Sequence, residues 1–290
     1  AASQGAEAAA AGSASIGGGT LPTMRVVIEP TADRMYRNAG RRIERMIRAN
    51  PSCVLGLATG RTMAPLYDEL ARRHGSGGLS LARVVTFNLD EYLGVGRSAA
   101  GSFHAFMREH LQERTDLQAA SMHLPDGLTE DPFAEAEGYE ARIREAGGID
   151  LQVLGLGANG HIGFNEPGSS LRSRTRVKAL SEATLAANRD DLPPDPGPPR
   201  AAITVGLGTI LDARSCLVIA VGEGKARAVA AMVEGPVTAR VPASALQFHP
   251  EVAVLVDEAA ASRLEEGAYY REAERLQREF EHGRGPSELA

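Results

Sequence analysis

Residues 52–74 read SCVLGLATGRTMAPLYDELARRH. The first part, SCVLGLA (52–58), is a short continuous apolar run of the kind found in parallel strands covered on both faces. A Gly-containing turn follows, and TMAPLYDELARRH (62–74) then takes up a helical pattern. The same strand-then-helix unit recurs in both directions. Upstream, RVVIEP (25–30) precedes an amphipathic helix over 31–50 whose Met35, Ala39, Ile43, Met46 and Ile47 share one face. Downstream come RVVTFNL (83–89), helices at 102–111 and 131–147, and the strongly apolar IDLQVLGLG (149–157). AAITVG (201–206), SCLVIAVG (215–222), a helix at 225–235, VAVLVD (252–257) and a last helix over about 268–282 complete the series. This order predicts an α/β fold: a mostly parallel, doubly wound open sheet with helices on both faces.

Composition narrows the function. The 290 residues carry 31 Lys and Arg against 37 Asp and Glu, a net charge of −6, so no basic excess points to nucleic acid or an anionic membrane. No apolar run reaches the roughly 18 residues of a membrane span. Cys53 and Cys216 sit inside apolar runs and read as buried thiols of a reducing compartment, the cytoplasm, rather than as a disulfide. Residues 1–23, rich in Ala, Gly and Ser, have no Lys or Arg and read as a flexible leader rather than a secretory signal. That leaves 24–290 as a single α/β domain. Within it DLPPDPGPPR (191–200) carries five prolines, either a surface loop or a stiff hinge beside a lid around 180–200.

In open α/β sheets, ligands bind beyond the carboxyl ends of the strands. Four such ends carry notable chemistry. ATGRT (58–62) offers free N–H groups, hydroxyls and a Gly that suit a phosphate, although an ordinary turn with a Thr helix cap reads the same way. GEGK (222–225) repeats the arrangement and adds the charge of Lys225. GLGANG (155–160) matches G-x-G-x-x-G but fails in context, since no helix pattern follows and RSRTRVK stands where an acid for a ribose belongs. The longer stretch GANGHIGFNEP (157–167) gathers Asn159, His161, Asn165 and Glu166 after a buried strand, a proton-exchanging imidazole with a carboxylate to orient it. NLDEY (88–92) places Asp90 and Glu91 together, either as two solvated loop acids or as a source of a carboxylate base. The remaining histidines, among them His104, His110 and His249, show no zinc-like spacing.

Taken together, VVTFNLDEYLG, GLGANGHIGFNEPGSS, AAITVGLGTILDA and the GEGKA…VEGPV segment resemble the glucosamine-6-phosphate deaminases from about Met24 to Asp257. The related 6-phosphogluconolactonases lack FNEP in the equivalent loop. A non-catalytic sugar-phosphate sensor should carry a helix-turn-helix extension and a basic patch. The resemblance implies a Rossmann-like fold of the sugar-phosphate isomerase type and an aldose–ketose isomerisation with deamination, a hydrolytic step in amino-sugar metabolism. No metal and no organic cofactor is implied. It assigns His161 to ring opening with Asn159 and Glu166 in support, and Asp90 as the base at C2. Many members have Asp where this chain has Asn159. It carries the phosphate over to Thr59, Gly60, Arg61, Thr62 and Lys225, with a lid arginine at Arg189. Arg61 is a departure, since members commonly have Gly there. Some members are hexamers activated by N-acetylglucosamine 6-phosphate, so a homo-oligomer is expected, with Ser169, Arg176 and Lys178 as the matching allosteric residues. Read without the resemblance, Arg172, Arg174, Arg176 and Lys178 form a solvated basic strand with four like charges on one face.

Overall fold

The computed structural model describes residues 23–180 and 199–281. The expected leader (except Thr23), Arg189 and nearly all of the expected lid fall outside them. Strands β1 (Thr23–Glu29), β2 (Val54–Leu57), β3 (Val85–Asn88), β5 (Met122–His123), β6 (Leu151–Gly155), β9 (Cys216–Ala220) and β10 (Glu251–Asp257) form one sheet in the order β1-β10-β9-β6-β2-β3-β5. Every pairing in it is parallel. All residues of β2 and β9 are buried, so both faces of the sheet centre are covered.

The local chemistry of the helices is plain. The helix α1 (Ala32–Ala49) is capped by Thr31, whose hydroxyl accepts from Arg34 N–H at 3.3 Å, and it stops at Asn50 before Pro51. Its anticipated face, Met35, Ala39, Ile43, Met46 and Ile47, is buried. The helix α2 spans Ala64–Gly75. Serine 102 caps α3 (Phe103–His110) through Ala105 N–H, and Asp131 caps α4 (Pro132–Glu145) through two N–H groups. Cys53 and Cys216 are free and buried, and burial, with a contribution from Asp150, pushes the Cys53 thiol up to about 12.

AAITVG does not join the parallel sheet. Its strand β8 (Ala201–Thr204) lies in a separate antiparallel sheet between β4 (Asp90–Tyr92) and β7 (Arg176–Ala179). The chain leaves the main sheet at Leu89, whose carbonyl accepts from Val205 N–H at 2.7 Å, and so the small sheet hangs from the end of β3. The basic strand is also shorter than its alternation suggested. Arg172 and Arg174 lie in the preceding turns, and Arg174 pairs with Asp212, so four like charges do not share a face.

Short α5 (Leu207–Leu211), α6 (Ala226–Val233) and α7 (Glu258–Ala261) lead to α8 (Gly267–Glu281), which is fastened to β1 by charge. Arg25 holds Glu274 with two bonds, at 2.6 and 3.1 Å, and reaches Glu281 at 2.7 Å. Arg278 bridges Glu274 and Glu29, and Glu29 accepts from Asn38 on α1. Burial works against the Glu274 carboxylate, but Arg25 and Arg278 together hold it below the usual range. Removing a largely buried partner strands the opposite charge. Glu274→Ala is therefore expected to cost about 2 kcal/mol in urea unfolding. Amide exchange should accelerate first in Gly267–Glu281; equal acceleration across the sheet would show that α8 is not separately fastened.

Candidate active site

The strand order places a topological switch between β2 and β6, where the chain runs outward to β3 on one side and to β9 on the other. A cleft of about 460 Å³ opens at the carboxyl ends there. Thr59, Gly60, Arg61 and Thr62 line it from the end of β2, Asp90 from β4, Asn159 and His161 from the loop after β6, and Lys225 from the start of α6. The sequence-derived site residues from these four strand ends thus meet in one place.

One end of the cleft is cationic. Gly60 adopts φ +94°, and its carbonyl accepts from Met63 N–H at 2.8 Å as the turn enters α2. No side chain caps that helix, so the Thr-cap reading of this turn does not hold. Burial lowers the Lys225 pKa and the charge of Arg61 lowers it further. Two cations close enough to oppose each other, beside orphan N–H groups and two hydroxyls, favour an anion.

The imidazole is held by a relay. His161 Nδ1 lies 2.6 Å from Asn159 Oδ1, and Asn159 Nδ2 donates to Glu166 Oε2 at 2.9 Å. Because the amide nitrogen faces Glu166, its oxygen must accept from Nδ1–H, which leaves Nε2 of the neutral ring to take up a proton. Glu166 Oε1 stands 3.8 Å from Nδ1, so the carboxylate acts on the ring mainly through the amide and through its field. Burial lowers the His161 pKa, Glu166 opposes that, and Lys225 adds to it. Gly157 lies directly under the ring: a Cβ there would come within 2.4 Å of Nδ1, Cε1 and Nε2.

Asp90 is buried, against the reading of NLDEY as two solvated acids, and so is Glu91. The Asp90 carboxyl is pushed up to about 8, first by burial and then by the charge of Glu91. Gly163, at φ +55°, brings the histidine loop against it, since a Cβ there would stand 3.3 Å from Asp90 Oδ2. The cleft also has an aromatic wall that no motif announced. Tyr92 packs on Phe103 and Phe164 with centroids 4.6 and 5.5 Å apart, and all three line the cleft. Tyr92 and Phe164 stand inside the quoted NLDEY and FNEP motifs, whereas Phe103 was hidden in a helical pattern.

Of the expected allosteric residues, Ser169 and Arg176 meet, with Arg176 Nη2 3.3 Å from Ser169 Oγ, and Lys178 follows two residues along β7.

Residues 29–255 match the family of glucosamine-6-phosphate isomerases and 6-phosphogluconolactonases. The chain belongs to this family. It is 49% identical over 248 residues to a glucosamine-6-phosphate deaminase of Hahella chejuensis (86% of this chain, 95% of the relative). It is 48% identical over 251 residues to that of Rhodopirellula baltica (86% and 100%). A solved monomeric glucosamine-6-phosphate deaminase superposes with a TM-score of 0.80 at 39% identity, over 83% of this chain and 100% of that one. The 6-phosphogluconolactonase of Trypanosoma brucei, at 22% identity and TM-score 0.65 over 84% of this chain and 100% of that one, shares the fold. Among the described residues, no helix is long and apolar enough to cross a membrane.

The buried carboxyl has a thermodynamic signature. An aspartate in the unfolded chain ionises near about 4, whereas folded Asp90 keeps its proton to about 8. The folded state binds the extra proton in that window, so this group's contribution to stability falls as pH rises through it. Asp90→Asn should therefore melt several degrees or more above the unmodified protein at pH 8, with the gap closing toward pH 4. A pH-independent difference in scanning calorimetry would refute the buried, protonated carboxyl.

Proposed function

We propose that residues 24–290 act as one catalytic unit that converts D-glucosamine 6-phosphate and water to D-fructose 6-phosphate and ammonia. The observation that carries this reading is the pairing, within one cleft, of a relay-held imidazole with a separate buried carboxyl, next to a cationic end suited to phosphate. The names of the relatives support it. A lactonase on the same scaffold would hydrolyse an ester without exchanging a proton at C2, and nothing in that chemistry calls for the second, buried base.

The chemistry runs from the cleft's own groups. Lys225, the 59–62 turn and Arg61 hold the phosphate. Neutral His161 takes the proton of the C1 hydroxyl at Nε2 and returns it to the ring oxygen, opening the sugar to its aldehyde. The transient imidazolium keeps its Nδ1 proton on Asn159 and is stabilised by Glu166. The aldehyde acidifies the C2 proton, which Asp90 removes and delivers to C1 while a proton passes from the nitrogen to O1, leaving a hydroxymethyl group at C1 and an imine at C2. Water adds to that carbon and ammonia departs, so atoms and charge balance. Asn159 suits its place: an Asp there would set carboxylate against carboxylate at the 2.9 Å contact with Glu166, and a proton would have to be shared between them.

Subunit association and a second anion site are part of the same proposal. The contact of Arg176 with Ser169 supports a phosphate site at a subunit boundary, with Lys178 adding charge. A cytoplasmic location follows from the substrate and the two free thiols.

Ammonia and fructose 6-phosphate release from glucosamine 6-phosphate tests the reading directly; a preparation that hydrolyses 6-phosphogluconolactone and frees no ammonia overturns it. Glu166→Gln should cut kcat about tenfold or more, and much further than Asn159→Asp, because an Asp at 159 still accepts the Nδ1 proton. Equal losses would sink this division of roles. Lys225→Ala removes a charge-assisted contact made throughout the reaction, so KM should rise about tenfold to a hundredfold with kcat little changed. An unchanged KM takes Lys225 out of the site.

A further inference from the structure

Consecutive residues of an extended strand face opposite sides, so Asp90 and Glu91 on β4 have different surroundings. Asp90 faces the cleft. Among the described residues, no group donates a hydrogen bond to its carboxylate in the structure. Glu91 is 2% exposed and does not line the cleft. Its Oε1 accepts from Tyr92 N–H at 2.9 Å and Phe103 N–H at 3.1 Å, and its Oε2 accepts from His104 N–H at 2.9 Å. Phe103 and His104 open α3, so the carboxylate occupies donors that helix geometry leaves unpaired and sits at the positive end of the helix dipole. The turn at Gly127 closes behind it, where a Cβ would come within 2.4 Å of the carbonyls of Tyr92 and Val95 and 3.5 Å of Glu91 Cγ.

We propose that Glu91 is a positioning residue: its ionised carboxylate pins the start of α3, and with it the Phe103 wall, while its charge, one residue away, keeps Asp90 a strong proton acceptor. The inference rests on reading Asp90 as the base at C2. The arrangement divides the labour between two adjacent acids. Glu91, with three N–H donors, ionises first, and Asp90, with none, resists the second charge. Burial raises the Glu91 carboxyl, the three N–H bonds lower it and Asp126 on the neighbouring turn raises it, with a net position of about 7. The other titratable or charged groups around the pair are His104 on α3, Tyr139 on α4, which feels the charge of Asp90, and His161, Arg61 and Lys225 across the cleft.

Carbon-13 NMR of aspartate-labelled protein follows Asp90 directly, its resonance identified by loss in Asp90→Asn. In Glu91→Gln the Asp90 midpoint should fall by about one pH unit, and the acidic limb of kcat/KM should move down with it. The weakened base should lower the plateau kcat about threefold, and KM should rise as well, because the amide NH2 cannot accept from the N–H groups of α3 as the second carboxylate oxygen does. Glu91→Asp keeps the charge but withdraws it from α3, so its Asp90 midpoint should stay and KM should rise as the Phe103 wall loosens. An unmoved midpoint in folded Glu91→Gln overturns the proposal, as does an equal fall in Glu91→Asp. In the unmodified protein an Asp90 midpoint near about 4 overturns it with no variant at all. Failure to release ammonia would instead defeat the substrate reading, and the titration would still decide the role of Glu91.

Discussion

Where β2 meets β6, Leu55 and Gly56 pair with Leu151 and Gln152, Asp150 N–H donates to the carbonyl of Val54 at 2.9 Å, and the placement of the cleft depends on that seam. It is a fit between a missing side chain and a buried amide. A Cβ on Gly56 would lie 2.1 Å from Gln152 Oε1, and Gln152, fully buried, donates to Val153 O at 3.0 Å. Because the chain runs outward on either side of this pair, the loops after β2 and β6 diverge and leave a crevice between them. The phosphate-type turn at 59–62 and the histidine loop at 157–166 face one another across it. A cationic turn and a relay-held imidazole thereby come together without a single long loop having to carry both.

Burial does different work on each ionisable group of the cleft. It disfavours charge on His161, Lys225 and Asp90 alike, but the neighbours differ. His161 has Glu166 to steady its cation, so the neutral ring can accept a proton and give it back. Lys225 faces Arg61, a repulsion that a bound phosphate would relieve. Asp90 has the charge of Glu91 one residue behind it on β4, which makes it reluctant to ionise and therefore basic. The three groups are tuned by what stands behind the cleft wall as much as by what lines it.

The main sheet was largely legible because most of its strands are apolar runs, as burial on both faces demands wherever β2, β9 and β10 fall, whereas the two-residue β5 carries no such signal. The small sheet was not. Its β4 is Asp-Glu-Tyr and its β7 is Arg-Val-Lys-Ala, polar segments whose extended form is set by pairing with β8 rather than by any periodicity of their own. For the same reason AAITVG was read as a strand but given to the wrong sheet. Asp90 and Glu91 looked solvated because two adjacent acids usually are, and only the fold reveals that the start of α3 offers one of them three N–H donors. Of the basic residues at 172–178, the sequence could not show that Arg174 would turn aside to Asp212.

The histidine loop shows how one letter pattern can serve unrelated physics. In a dinucleotide site, the glycines of G-x-G-x-x-G let backbone approach a pyrophosphate and a helix pack on its strand. Here Gly157 is bare because an imidazole lies where its Cβ would be, and Gly160, at φ +83°, meets Val241 at a distance no side chain would tolerate. Among the described residues no helix opens directly after the loop, so the loop has no dipole to offer a phosphate. The cationic end of the cleft lies instead at other strand ends, beside Gly60 and Lys225. The demand for glycine is the same in both cases, close approach to backbone, but here the approaching groups are side chains, His161 of the same loop and Val241 of another segment. The motif therefore reports crowding, and the chemistry has to be read from what does the crowding.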